Sequence, residues 1–158
     1  MATKLKNLSS HSQTNISEIS TKKFALIVSE WNSEITEALF HGAFDTLIKN
    51  GASKENIIRK TVPGSFELSL GAQWMAQKPE VDAVICIGCV IQGDTKHFDF
   101  ICQAVSHGLT DVSLKYNKPV IFGVLTPNTQ QQALDRAGGK YGNKGDEAAI
   151  TAIKMLGF

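Results

Sequence analysis

The chain has 158 residues, of which 42% are hydrophobic, and its 16 basic and 15 acidic side chains give a net charge of +1. This length suits one domain that buries a substantial core. The balanced charge lacks the basic surface that nucleic acids and anionic membranes attract, so small molecules are the expected partners. Residues 1–20 are polar, contain no signal-peptide core and are interpreted as a flexible N-terminal arm before a single domain at 21–158.

The three cysteines, Cys86, Cys89 and Cys102, all fall within apolar segments. An odd number of such cysteines argues against a secreted disulfide framework and favours a reducing, cytoplasmic location. Cys86 and Cys89 have the C-x-x-C spacing of redox and zinc sites, but on a strand their thiols would point to opposite faces. We therefore expect buried packing for both, and no metal.

Two strand and helix units occupy the first half of the chain. Residues 24–28 form an apolar run that predicts a strand, and apolar residues then recur at helical spacing over 35–47. Residues 57–62 predict a second strand, and a proline and glycine break separates it from an apolar helix at about 66–76.

The second half continues the alternation. Residues 83–91 are apolar almost without interruption, as expected of a central parallel strand covered by helices on both faces. An amphipathic helix over 98–112 and a last strand at 120–125 follow, and then helices at 130–136 and 146–156 separated by a glycine-rich loop. This order predicts an α/β fold, a three-layer flavodoxin-like sandwich with a central parallel sheet and helices on both faces.

Ligands of such a fold gather at the carboxyl ends of the strands, and the turn after the third strand is the richest candidate. Gly93 would permit a tight turn, and Asp94 and Thr95 would open a helix whose N–H groups and dipole favour an anion such as phosphate. His97 lies in the first helical turn, where an imidazole can accept and donate protons near neutral pH. It is either a general acid–base group or an exposed histidine without a role.

The other candidates each have a structural alternative. Trp31 would stack on a flat heterocycle or close the core beneath a loop, and Ser65 and Glu67 would cap a helix or bind a polar ring. Phe122 lies in the middle of a strand, where core packing is the ordinary role. Arg136 would pair with phosphate or remain solvated.

Four separated motifs stand out: VPGSFE at 62–67, GCVIQGDTKHFD at 88–99, PVIFG at 119–123 and RAGGKYGNKG at 136–145. Together they resemble the lumazine synthase family, from about residue 24 to the C-terminus. That family condenses 5-amino-6-(D-ribitylamino)uracil with 3,4-dihydroxy-2-butanone 4-phosphate to 6,7-dimethyl-8-ribityllumazine, releasing phosphate and water, in riboflavin biosynthesis. It uses neither a metal nor an organic cofactor.

The resemblance implies a role for each matching residue. His97 would transfer protons, while Asp94, Thr95 and Arg136 would hold the phosphate of the butanone substrate. The ribitylaminouracil would be surrounded by Trp31, Ser65, Phe66, Glu67, Cys89, Val90, Ile91 and Phe122. Trp31 and Lys96 depart from the phenylalanine and threonine that are frequent in the family, and neither departure removes a needed function.

The resemblance also implies an assembly. The family's site lies between adjacent subunits of a pentamer, with Phe122 and Arg136 reaching into the neighbouring pocket and the N-terminal arm joining the adjacent sheet. The short segment 138–145 favours a sixty-subunit shell, and riboflavin synthase is an implied partner. The rival hypotheses are a flavodoxin-like binding or signalling module, whose motifs are missing after the first strand, and a cage-forming or riboflavin-binding paralogue that has lost the chemistry.

Overall fold

The computed structural model describes residues 18–158. Its long strands are β1 (Phe24–Ser29), β2 (Ile57–Val62), β3 (Ala83–Cys89) and β4 (Val120–Leu125), and its helices are α1 (Ser33–Lys49), α2 (Leu68–Ala76), α3 (His97–Tyr116), α4 (Gln130–Leu134) and α5 (Lys144–Leu156). The strands form one parallel sheet in the order β2-β1-β3-β4. The predicted α/β class is confirmed.

Side chains of successive strand residues enter two different cores. Leu26 of β1 packs with α1 and α5 on one face of the sheet, and the next residue, Ile27, packs with α2 and α3 on the other. Both β1 and β3 are buried throughout, which explains why their sequences show no polar alternation. Cys86 and Cys89 lie in opposite cores, so the predicted orientation of the two thiols is confirmed.

The carboxyl ends of the strands meet at one edge of the sheet. Ser29 of β1 is in register with Val62 of β2, and Cys89 of β3 is in register with Leu125 of β4. The pairing continues beyond the strands, because the N–H of Val90 donates to the carbonyl of Leu125 at 2.8 Å. The loops that follow the strands therefore leave the sheet from fixed positions along a common rim.

Two predicted boundaries around the third strand are wrong. β3 ends at Cys89 rather than residue 91, because Val90 and Ile91, although apolar, are half-buried beyond the sheet pairing. The following helix begins at His97, so Asp94 and Thr95 precede it rather than open it.

The glycine-rich segment is a hairpin rather than the predicted loop. It forms β5 (Ala137–Gly139) and β6 (Gly142–Asn143), which pair antiparallel, so β4 is not the last strand. The next helix starts two residues before the predicted position, because the Asn143 side chain caps it by accepting a hydrogen bond from the N–H of Gly145 at 2.8 Å.

The predicted N-terminal arm falls mainly outside the described residues, at 1–17. At its end, Ile19 is buried in the core beneath α1, and the Asn56 side chain donates to the carbonyl of Ser20 at 2.9 Å. Across residues 18–158, no helix combines the length and the apolar character that crossing a bilayer requires.

Helices α1 and α5 meet at a point where only glycine fits. A Cβ atom on Gly145 would lie 1.9 Å from the carbonyl oxygen of Leu39 in α1. Beside it, the Asn143 amide donates to the carbonyl of Ala38 at 2.9 Å. These contacts fix both α5 and the hairpin against α1.

We expect Gly145→Ala to lower the free energy of unfolding by about 3 kcal/mol, because its methyl group forces α5 away from α1. Chemical denaturation followed by circular dichroism measures this loss. Gly93→Ala is the matched control, since a Cβ there meets no atom within 4 Å. Equal denaturation midpoints for the two variants would contradict the close approach of the helices.

Candidate active site

A cavity of about 680 Å³ opens at the carboxyl edge of the sheet, among the turns that follow β1, β2 and β3. Segments distant in sequence meet there because the parallel register ends the strands side by side. The predicted residues that line it are Trp31, Ser65, Phe66, Glu67, Cys89, Val90, Ile91 and His97. The cavity is also lined by Asn32 and Gly64, which lie in the predicted carboxyl-end turns but had no predicted role of their own, and by Ile101, which was not a predicted site residue.

Two aromatic side chains stand open at this cavity. Trp31 is 73% exposed and Phe66 is 55% exposed. The alternative in which Trp31 closes the core is therefore wrong. Covering an aromatic face removes apolar surface from water and is worth about 2 kcal/mol, so both rings favour a flat apolar partner.

Cys89 lies at the floor of the cavity and is almost fully buried. Burial raises the pKa of the Cys89 thiol to about 11. The thiol is therefore protonated at neutral pH, and it contributes shape rather than a nucleophile.

Asn32 connects two walls of the cavity. It has a left-handed backbone (φ 59°, ψ 46°) immediately before α1, and its side-chain amide donates to the carbonyl of Cys89 at 2.9 Å. This bond joins the turn that carries Trp31 to the end of β3. An asparagine before a helix indicates a turn, but only the folded chain shows that its amide reaches a different strand.

Ser65 begins the turn after β2, and its buried hydroxyl has no hydrogen-bond partner among the described residues. Gly88 permits this position, because a Cβ there would lie 2.6 Å from the Ser65 oxygen. The capping role considered for Ser65 is therefore wrong, whereas Glu67 does cap, since its carboxylate accepts the N–H of Gly64 at 2.9 Å. An unsatisfied buried hydroxyl costs about 1–3 kcal/mol, so a polar ligand atom would be favoured there.

Within the segment 93–97, His97 lines the cavity, whereas the predicted phosphate residues Asp94 and Thr95 do not. The Thr95 hydroxyl accepts the N–H of His97 at 3.3 Å, and the His97 side chain is exposed at the mouth of the cavity. Asp94 and Thr95 are also exposed. Gly93 has no left-handed backbone, and a Cβ atom on it would meet no other atom within 4 Å, so the observed turn does not depend on glycine.

Phe122 and Arg136 lie apart from this cavity. Phe122 is 38% exposed on the edge strand β4, in a groove with Leu114 of α3. Its expected core packing is wrong, because among residues 18–158 no strand lies beyond β4 in the sheet and the Phe122 ring stays partly exposed at this edge. Arg136 lines a second cavity of about 660 Å³ beyond β4, together with Lys140 and Lys144.

The described residues, 18–158, contain no cluster of three or more histidine, cysteine or acidic side chains arranged to hold a metal ion. The distinguishing features of the main cavity are the aromatic rings of Trp31 and Phe66, the unpaired Ser65 hydroxyl and the exposed His97 imidazole.

An α/β sandwich with an aromatic-walled cavity at the carboxyl edge of its sheet has a typical small-molecule site, and the imidazole that lines this cavity is a candidate acid–base group of an enzyme. A family model described as 6,7-dimethyl-8-ribityllumazine synthase matches residues 21–158. The chain belongs to this family. The resemblance found in its motifs is therefore confirmed, and the flavodoxin-like signalling alternative is wrong.

Similar proteins named 6,7-dimethyl-8-ribityllumazine synthase occur in several bacteria. The protein of Cytophaga hutchinsonii is 67% identical, over 96% of this chain and 94% of its own length. That of Parabacteroides distasonis is 53% identical, over 100% of this chain and 99% of its own. That of Bacteroides fragilis is 58% identical, over 86% of this chain and 95% of its own.

We expect Asn32→Ala to lower the free energy of unfolding by about 1–2 kcal/mol, because it removes the bond to β3 and strains the left-handed backbone. Asn32→Gly removes the same bond but accepts this backbone, so it separates the two causes. Urea denaturation measures both variants. In a Trp74→Phe background, the emission of Trp31 reports whether the β1 turn has moved. A structural role of the bond would be contradicted by stability equal to that of the unmodified protein together with Trp31 emission equal to that of the Trp74→Phe protein.

Proposed function

We propose that the chain condenses 5-amino-6-(D-ribitylamino)uracil with 3,4-dihydroxy-2-butanone 4-phosphate to 6,7-dimethyl-8-ribityllumazine, releasing phosphate and water, in riboflavin biosynthesis. The observation that carries this proposal is the aromatic-walled cavity with His97 at its mouth. Membership of the lumazine synthase family over residues 21–158 supports it, and we take this range as the catalytic domain.

The flat uracil ring is the substrate part that suits the aromatic walls. Trp31 and Phe66 offer ring faces, and the unpaired Ser65 hydroxyl offers a hydrogen bond to a ring carbonyl or N–H. Glu67 lies at the same wall, where its carboxylate would accept hydrogen bonds from the substrate. The backbone and side chains of Cys89, Val90 and Ile91 form the remaining wall.

His97 is the proposed proton-transfer residue. The 5-amino nitrogen adds to the ketone carbon and loss of water gives an imine. C3 of the butanone then loses a proton as phosphate departs from C4 with the electrons of its C–O bond, which leaves an enol. Protonation of the enol at C4 makes C3 a ketone, and the ribitylamino nitrogen adds to this carbonyl carbon and closes the ring with loss of water. Each step moves a proton, and an exposed imidazole beside the aromatic walls is suited to carry it.

We assign the phosphate to the segment containing Asp94 and Thr95, together with Arg136. Asp94 and Thr95 lie shortly before the N-terminus of α3, where the helix dipole favours an anion. The guanidinium of Arg136 can bind phosphate through paired hydrogen bonds. Stabilising the charge on the departing phosphate would lower the barrier to elimination.

Arg136 and Phe122 would reach this phosphate and uracil from an adjoining subunit. Within one chain they line other cavities, on the far side of β3 from Trp31, and Phe122 leaves an aromatic surface exposed. A pentamer with one site at each interface would unite the two sets, and the short 138–145 segment favours a further sixty-subunit shell able to associate with riboflavin synthase. The free thiols of Cys86, Cys89 and Cys102 support a reducing, cytoplasmic location.

The direct test mixes the purified protein with both substrates and follows lumazine fluorescence together with phosphate release. We expect both above the spontaneous rate, and His97→Ala to lower kcat by about tenfold to a hundredfold with little change in substrate affinity. His107→Ala is the matched control, since His107 is an exposed histidine of the same helix that does not line the cavity.

Absence of product with the unmodified protein would overturn the proposed function and leave a cage-forming or riboflavin-binding paralogue. Equal rates for His97→Ala and His107→Ala would remove His97 from the chemistry.

The shared site predicts complementation between two impaired chains. Arg136→Ala alone should mainly weaken use of the phosphorylated substrate. When His97→Ala and Arg136→Ala chains are unfolded together and reassembled in equal amounts, about a quarter of the interfaces should combine an intact His97 with an intact Arg136. Activity should therefore rise above that of either variant reassembled alone. A mixture that shows only the average of the two variants would contradict a site between subunits.

A further inference from the structure

The second cavity contains a nearly buried acidic residue beside its cationic side chains. Asp135 ends α4, and its side chain is 11% exposed, whereas that of Lys140 is 61% exposed. Arg136, Lys140 and Lys144 line the same cavity. A carboxylate with so little access to water requires hydrogen-bond partners, and these partners identify the elements that it connects.

Asp135 binds two separate parts of the chain, α4 and the turn of the hairpin. One carboxylate oxygen lies 2.9 Å from the Lys140 ammonium, and the other accepts a hydrogen bond from the Gln131 amide at 3.0 Å. Its carbonyl accepts the N–H of Tyr141 at 2.8 Å. Hydrogen bonds from Lys140 and Gln131 hold the pKa of the Asp135 carboxyl below its usual value, so the group is charged at neutral pH.

These contacts surround Arg136, the next residue along the chain. Its N–H donates to the carbonyl of Ala133 at 3.0 Å, and its carbonyl accepts the N–H of Lys144 at 2.8 Å. The centre of the Tyr141 ring lies 5.5 Å from the Arg136 guanidinium carbon and 4.9 Å from the Lys140 ammonium. Tyr141, whose ring lies beside the Arg136 guanidinium, is therefore held through its backbone N–H by the carbonyl of Asp135.

The two lysines of the cavity already have carboxylate partners. Lys140 pairs with Asp135, and the Lys144 ammonium lies 3.1 Å from the Glu147 carboxylate. Asp135 thus has two effects: it joins α4, which precedes Arg136, to the hairpin turn that follows it, and it offsets the charge of Lys140 beside the same aromatic ring.

We propose that Asp135 is a positioning residue that orients Arg136 for the phosphate of the butanone substrate, through the bonds that tie Gln131, Lys140 and Tyr141 together. This inference rests on the proposed function. In this role Asp135 would set the position of Arg136 without itself binding the substrate, so its whole contribution to phosphate binding would pass through Arg136. Replacing Asp135 should therefore weaken binding of the phosphorylated substrate only in a protein that retains Arg136.

The test is a double-mutant cycle in steady-state kinetics. Asp135→Asn should raise the KM for the phosphorylated substrate about fivefold and change the KM for the uracil by less than about twofold. In an Arg136→Ala background, Asp135→Asn should cause no further change. Glu37→Gln is the matched control, since it neutralises a carboxylate that pairs with Arg59 away from both cavities.

The possible results distinguish failure of the proposed function from failure of the proposed role of Asp135. If the unmodified protein forms no lumazine, the proposed function falls and this inference with it. If the unmodified protein is active and Asp135→Asn behaves like Glu37→Gln, only the inference is overturned. A rise in both KM values, or an equal rise in the Arg136→Ala background, indicates a general structural role and also overturns it.

If Asp135→Asn does not assemble, a second variant tests the same ion pair. Lys140→Met breaks the same ion pair from its exposed side, so it should leave folding intact. It should raise the KM for the phosphorylated substrate, and this rise should vanish in the Arg136→Ala background. Direct contact of Lys140 with the phosphate would preserve the rise there and would overturn the proposal.

Discussion

The parallel register of β2, β1, β3 and β4 is the constraint on which the rest of the structure depends. It ends the strands along one edge, and backbone bonds carry the order a few residues further. The N–H of Trp31 donates to the carbonyl of Pro63 at 3.1 Å, and that of Gln92 donates to the carbonyl of Pro127 at 2.9 Å. The loops therefore present their side chains from fixed starting points, which is how a cavity can be built from segments far apart in the sequence.

The same sheet also divides the site. The turns after β2, β1 and β3 line one cavity, whereas β4, the strand at the opposite edge from β2, carries Phe122 and the chain leading to Arg136 away from it. A chain arranged in this way exposes aromatic surface on two separate sides. A neighbouring subunit that brought its edge strand to this cavity would cover both surfaces at once, so assembly and catalysis would depend on the same interface.

Several contacts at the site act on position rather than on the substrate. Asn32 joins the β1 turn to β3, Gly88 makes room for Ser65, and Asp135 joins α4 to the hairpin. Their common feature is that a backbone atom or a short side chain from one element meets a different element. Such contacts hold the functional groups in place before the substrate arrives, which reduces the entropy lost on binding.

The sequence by itself determined the order of strands and helices along the chain and the burial of β1 and β3, because hydrophobic periodicity is local. It also indicated the turns that form the main cavity, because the strand ends of a parallel sheet meet at one edge, whereas Phe66, Cys89, Val90 and Ile91 were indicated by the family resemblance. It placed the start of α3 too early, at Asp94 and Thr95 rather than His97, because a sequence pattern locates the ends of a helix only to within a few residues. It also missed the β5 and β6 hairpin and the reach of Asn32 to β3. Only the tertiary structure decided these features, because each depends on hydrogen bonds and close contacts between residues that are distant along the chain.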